Sequence, residues 1–85
     1  MAIHIGRPDT APLARARLIA ACRRGDEPAE LLSAADRARL VRWFWRLGWT
    51  DVEIAQHTSM TTYTTGRIRA RLGLAAHPTS TKGAA

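Results

Sequence analysis

The sequence has very little cysteine: Cys22 is the only one among 85 residues. An intramolecular disulfide is therefore impossible, and packing has to hold the fold together, as is usual in reducing compartments. Cys22 lies in the apolar run LIAAC and is expected to be a small buried hydrophobe. No stretch is apolar enough for a transmembrane helix or a signal peptide. These absences predict a cytoplasmic protein with no membrane partner.

The sequence also lacks the residue sets that carry catalysis or bind metals. His4, His57 and His77 are spread along the chain without the spacing of zinc ligands. The sequence contains no set of a nucleophile, a general base and an orienting group that the fold would be expected to bring together. Asp51 and Glu53 are better explained as acids at a helix N-terminus. We therefore expect no enzyme, no cofactor and no metal.

Acidic residues are scarce, at 7 against 13 basic ones, which gives a net charge of +6. Residues 1–32 hold five arginines and four acids, and residues 33–60 hold four arginines and three acids. Residues 61–85 hold three arginines, Lys82 and no acid. A solvated face usually mixes both signs, so this segregation favours a nucleic-acid partner. The preference for arginine over lysine is typical of a GC-rich bacterium, a phage or a mobile element.

Helix signals divide the chain into a flexible arm (residues 1–10), a helical domain (11–74) and a disordered tail (75–85). The first helix is predicted to run from about Pro12 to Gly25. Ser33 and Asp36 resemble a capping box that opens a second helix, and Gly48 ends it. This helix should bury a stripe consisting of Leu40, Val41, Phe44 and Leu47.

Two tryptophans of this second helix lie beside or outside the apolar stripe. Trp43 flanks the stripe and Trp45 points well away from it. Trp45 either closes the core beneath the first helix or, together with Trp43, marks a dimer or partner surface.

Residues 50–72 predict a helix-turn-helix. Thr50 and Glu53 form a capping box that opens a short helix ending near His57. Residues 58–60 form the turn, and Thr61 caps another helix that reaches about Leu72. The expected fold is a compact all-α domain of four or five helices. One alternative stays open, because the threonines around Gly66 and the alternation of residues 67–72 also fit a β-ribbon.

Residues 48–74, GWTDVEIAQHTSMTTYTTGRIRARLGL, resemble the helix-turn-helix shared by response-regulator output domains and region 4 of bacterial sigma factors. Those families carry a pattern close to G-x-[ST]-x-x-EIA, then an apolar residue, [ST] and a threonine-containing second helix. The matching residues are Gly48, Thr50, Glu53, Ile54, Ala55, Met60, Thr61 and Thr64. The sequence departs at Thr58, where leucine is usual, at Ser59, where glycine is common, and at Thr65, where valine or isoleucine anchors the core.

The second helix of the motif would present its exposed face to DNA. Arg67 and Arg71 lie one turn apart and suit phosphate contacts, or a bidentate contact from Arg67 to guanine. Arg69 lies on the other side, where it would clamp the DNA backbone or pair within the protein. His57, at a helix end, is placed for the helix dipole or a phosphate. The predicted DNA-binding residues are Thr50, Thr61, Thr62, Tyr63, Gly66, Arg67, Arg69 and Arg71.

Sequence-specific binding of double-stranded DNA by a homodimeric transcriptional regulator is the function this pattern favours. Thr62 and Tyr63 stand where base edges are read, although cap and packing roles fit them equally well. Two other functions use the same features. One is a protein-binding module that acts on RNA polymerase or another host protein, and the other is an accessory factor in recombination or DNA architecture.

Overall fold

The protein is described here by a computed structural model that covers residues 2–78, with side chains from residue 12 onward. Four α-helices follow one another: α1 (Ala2–Arg24), α2 (Ala34–Arg46), α3 (Asp51–Thr58) and α4 (Thr62–Arg71). A short 3₁₀ helix, Ala29–Leu31, connects α1 to α2. No strand occurs within residues 2–78, so the all-α prediction is confirmed and the β-ribbon alternative is wrong.

The predicted caps are present at both ends of α2 and at the start of α3. Ser33 Oγ accepts a hydrogen bond from the Asp36 N–H at 3.1 Å. Gly48 follows α2 with φ 89°, in the left-handed conformation that glycine adopts without a steric cost. At α3, Thr50 Oγ1 accepts from the Glu53 N–H at 3.2 Å, while Glu53 Oε1 accepts from the Thr50 N–H at 2.8 Å. This reciprocal pair is a complete capping box.

The core lies where α2 meets the other three helices. Phe44 is buried at its centre and stacks on Trp49, with ring centroids 4.4 Å apart. Cys22 is buried as expected; its thiol donates to the Pro28 carbonyl at 3.6 Å, and burial raises its pKa. The other buried apolar residues of this cluster are Ala29, Leu32, Leu40, Val41 and Ile54.

Two boundaries and the burial of one residue differ from the sequence prediction. Helix α1 begins at Ala2, so residues 2–10, predicted as an arm, lie within it. A start near Pro12 was predicted because a proline inside a helix removes a backbone donor and clashes with the preceding turn. The structure nevertheless places both Pro8 and Pro12 within α1. Residues 75–78, predicted as disordered tail, lie against α2; the tail's remainder, residues 79–85, is outside the described part. Leu47 is not buried but 54 % exposed, because it follows the last residue of α2, where no other helix covers it.

Across residues 2–78, none of the helices combines the length and the apolar character needed to cross a membrane.

Candidate nucleic-acid interface

A tight turn joins α3 to α4. Ser59 takes a left-handed conformation with φ 59°, and the Met60 N–H donates to the Ala55 carbonyl at 3.0 Å. Thr61 then caps α4, because its Oγ1 accepts from the Thr64 N–H at 3.0 Å. The predicted turn and cap are therefore confirmed. They place the first turn of α4 on the surface, with Thr61 and Thr62 exposed.

Two buried threonines lie in this helix pair, at positions where the resemblance leads one to expect apolar residues. Thr58 and Thr65 are both fully buried. Thr58 Oγ1 donates to the Ile54 carbonyl at 2.6 Å, and Thr65 Oγ1 donates to the Thr61 carbonyl at 3.0 Å. Each hydroxyl thus has a hydrogen-bond acceptor in the preceding turn. The methyl group of each threonine can then pack in the interior as one methyl group of a valine would. The departures from the family pattern are compatible with a packed interior.

The outward face of α4 carries Tyr63 and Arg67, four residues apart. Tyr63 is 71 % exposed. Arg67 Nη1 donates to the Tyr63 hydroxyl at 3.2 Å, and the guanidinium lies 5.7 Å from the centre of the tyrosine ring. Arg71 is exposed one turn further along. Tyr63, Arg67 and Arg71 follow one another at intervals of four residues and therefore lie on one side of α4. Thr62 is also exposed, in the first turn of the helix. We call these four exposed residues the α4 face.

Arg69 lies on the other side of α4 and is held within the protein, one of the two roles predicted for it. Its Nε donates to the Asp51 carboxylate at 2.9 and 3.1 Å, and its Nη1 donates to the Leu74 carbonyl at 2.8 Å. The side chains of Arg69 and Asp51 are only 17 % and 19 % exposed. Asp51 was expected to serve the helix N-terminus alone, because nothing local in the sequence indicates a partner eighteen residues away.

Two further predicted DNA-binding residues are placed elsewhere by the structure. Gly66, expected on the exposed face, is half-buried toward α3, where a Cβ would lie 3.2 Å from Asp51 Oδ2. Thr50 is only 5 % exposed, because its hydroxyl has to point at the backbone of α3 in order to cap it. Both residues shape the helix pair and do not belong to the α4 face.

The charged residues that α4 exposes, Arg67 and Arg71, are both basic. Asp51 is bound to Arg69, and Glu53 is bound to the cap residue Thr50. Within residues 50–78 these are the only two acidic side chains. Arg67 and Arg71 thus face solvent with no carboxylate on α4 to neutralise them, an arrangement suited to an anionic partner.

His57 and Trp45 are placed differently from their predictions. His57 Nε2 donates to the Arg23 carbonyl at 2.7 Å, so it caps the end of α1. Trp45 is half-buried beneath the C-terminal segment: its Nε1 donates to the Ala75 carbonyl at 2.7 Å, and His77 stacks on it with ring centroids 4.8 Å apart. Trp43 is 41 % exposed. Of the two predicted surface tryptophans, Trp43 is the accessible one.

Comparison with protein-family models, with curated proteins and with solved structures found no match to this chain.

Proposed function

We propose that the protein binds double-stranded DNA sequence-specifically and acts as a small transcriptional regulator. In this proposal α3 and α4 form a helix-turn-helix of the kind found in response-regulator output domains and sigma factor region 4, and α4 enters the major groove. The α4 face carries the proposal: it exposes two arginines, a tyrosine and a threonine, while the acids of the helix pair are bound internally.

Each residue of the α4 face has a proposed role. Arg71, near the end of α4, neutralises a backbone phosphate and so contributes affinity without sequence preference. Arg67 donates to the edge of a guanine, and the hydrogen bond to Tyr63 holds its guanidinium in a restricted set of positions. Thr62 and Tyr63, in the first turn, meet neighbouring bases. A single α4 spans few base pairs, so we propose a homodimer that reads two half-sites.

Selection of bound duplexes from a random pool tests the proposal and yields the target with its half-site spacing. On the selected duplex, Arg67→Ala should weaken binding by about 1–3 kcal/mol and relax the preference at one base pair. Arg71→Ala should weaken binding to all duplexes alike and reduce the slope of log K against log salt by about 0.9.

Arg17→Ala is the matched control, because Arg17 is an exposed arginine on α1, outside the α3–α4 helix pair. It should leave the base preference unchanged. If no duplex binds at low salt, or if Arg67→Ala binds like the unmodified protein, then α4 is not a DNA reader.

A further inference from the structure

A groove of about 210 Å³ runs between α1 and α2, away from α4. Its floor is apolar and consists of Ile19 from α1 together with Leu40 and Trp43 from α2. Trp43 is 41 % exposed, although its edge packs against the buried ring of Phe44. The remaining lining residues are Arg23, Asp36 and Arg39. A large apolar side chain from another molecule would bury surface here that the protein itself leaves open.

The apolar floor continues beyond the groove along α2. Leu47 is the C-cap residue of α2 and keeps a right-handed helical conformation. It follows Trp43 by four residues, so the two side chains lie on the same side of the helix, about one turn apart. Leu47 is 54 % exposed. Isolated exposed hydrophobic residues are common on protein surfaces. A tryptophan and a leucine exposed on the same side of one helix, next to an apolar groove, enlarge the apolar area available to a partner, and large apolar areas mark interaction sites.

The charge around the groove is positive. Asp36 is its only carboxylate, and Arg15 donates two hydrogen bonds to it, at 2.6 and 2.7 Å. The charge of Asp36 is therefore already compensated. Arg39 Nη1 also lies 3.5 Å from Asp36 Oδ1, but the Arg39 side chain is 73 % exposed, so its other N–H groups remain accessible. Arg23 places its guanidinium 4.8 Å from the centre of the Trp43 ring. Both arginines border the apolar floor and can receive carboxylates.

We propose that this groove binds an acidic, amphipathic peptide segment of a partner protein, whose apolar side chains fill the floor while its carboxylates bind Arg23 and Arg39. The complementarity of charge selects an acidic partner, and the apolar floor selects a peptide over DNA, because a phosphate backbone has nothing to bury on Ile19, Leu40 and Trp43. The surface is separate from the α4 face, so a bound partner leaves Arg67 and Arg71 accessible.

The test is an NMR titration of the full chain with a short synthetic peptide in which glutamates surround one leucine and one phenylalanine. Resonances of Ile19, Leu40 and Trp43 should shift saturably. A peptide with serine in place of leucine and phenylalanine, and one with lysine in place of glutamate, should each bind at least about tenfold more weakly. Absence of shifts at millimolar peptide, or equal binding of the lysine peptide, would overturn the proposal.

Substitutions inside and outside the groove test where the peptide binds. Arg39→Glu should weaken peptide binding at least about tenfold, while Arg17→Glu, the same charge change on an exposed residue outside the groove, should not. Arg39→Gln gives a second reading, with a smaller loss, if the glutamate near Asp36 disturbs folding. Leu47→Glu should also weaken the peptide.

Two results would reassign the surface. If duplex DNA displaces the peptide and shifts the same three resonances, the groove is part of a nucleic-acid surface. If Leu47→Glu converts a dimer into a monomer in sedimentation equilibrium, the occupant is a second copy of the chain.

Discussion

In both helix pairs of this domain, an aspartate in the first turn of one helix binds an arginine from its neighbour. Asp36 of α2 binds Arg15 of α1, and Asp51 of α3 binds Arg69 of α4. The first pair joins a buried carboxylate, 5 % exposed, to an arginine that is 53 % exposed. In the second pair both side chains are largely buried, and the arginine also binds the Leu74 carbonyl.

The two ion pairs differ in their exposure to water. We call the Arg15–Asp36 pair between α1 and α2 the open joint, and the Arg69–Asp51 pair between α3 and α4 the closed joint. Water screens the exposed side of the Arg15–Asp36 pair, so that pair adds little rigidity between α1 and α2. The Arg69–Asp51 pair is screened less, and it fixes the orientation of α4, the helix for which we propose DNA contact. The same kind of ion pair thus borders an open groove between α1 and α2 and fixes α4 against α3.

Removing Asp51 should produce the largest effect. Asp51→Ala leaves the partly buried guanidinium of Arg69 without its carboxylate, and we expect the free energy of unfolding to fall by about 2–3 kcal/mol. Arg69→Ala should cost less, because the remaining aspartate lies at the N-terminus of α3, where negative charge is favourable. Denaturant unfolding of both single variants and the double variant gives the coupling energy. A coupling energy near zero would mean that water weakens the Arg69–Asp51 pair as much as it weakens the exposed Arg15–Asp36 pair.

Gly66 tests how closely α3 and α4 approach each other. Alanine is favoured over glycine within a helix by about 1 kcal/mol, but here its Cβ would lie 3.2 Å from Asp51 Oδ2. We therefore expect Gly66→Ala to bring no gain in the unmodified protein and to stabilise the Asp51→Ala variant by about 1 kcal/mol. Asp51→Asn is the matched control, since its side chain keeps the same volume and should still suppress the gain. Equal stabilisation in all three backgrounds would refute the close approach.

Sequence reasoning captured what depends on near neighbours in the chain. The caps at Ser33, Thr50 and Thr61 were predicted because each involves residues three apart. The fold class was predicted for the same reason, since helical periodicity is local. Contacts between helices were not predictable in this way. The bond from Arg69 to Asp51 depends on how α4 packs on α3, and the position of Trp45 depends on a segment thirty residues away.

The same distinction between local patterns and contacts between helices applies to the candidate site. Tyr63 and Arg67 were both predicted on the exposed side of one helix, and they lie together there, four residues apart. Gly66 and Thr50 were also predicted to contact DNA, and packing places them inward. Thr58 and Thr65 are buried although a polar side chain is usually exposed. Their burial is possible because each hydroxyl donates to a carbonyl of the preceding turn.

Ser59 is a smaller test of the closed joint. It is the only residue other than glycine with a positive φ in the described part of the chain, whereas Gly25, Gly48 and Gly73 occupy the other such positions. Ser59→Gly should relieve the steric cost of the left-handed conformation and stabilise the fold by about 0.5–1 kcal/mol. Ser59→Ala, which keeps a Cβ, should bring no gain. A thermal unfolding comparison of the three proteins decides whether the turn is held at this φ in solution.

The open joint should respond least to mutation and most to acid. Hydrogen bonds from Arg15, opposed by burial of the carboxyl, hold the pKa of Asp36 below its ordinary value. A lowered folded-state pKa contributes stability above the unfolded-state value, about 3.9, and this contribution is lost as the pH falls through the folded-state value. Asp36→Asn should therefore be less stable than the unmodified protein at neutral pH, by a margin that shrinks below about pH 4. Urea unfolding midpoints measured across that range report the margin, and a margin independent of pH would show that Asp36 stabilises the joint without its charge.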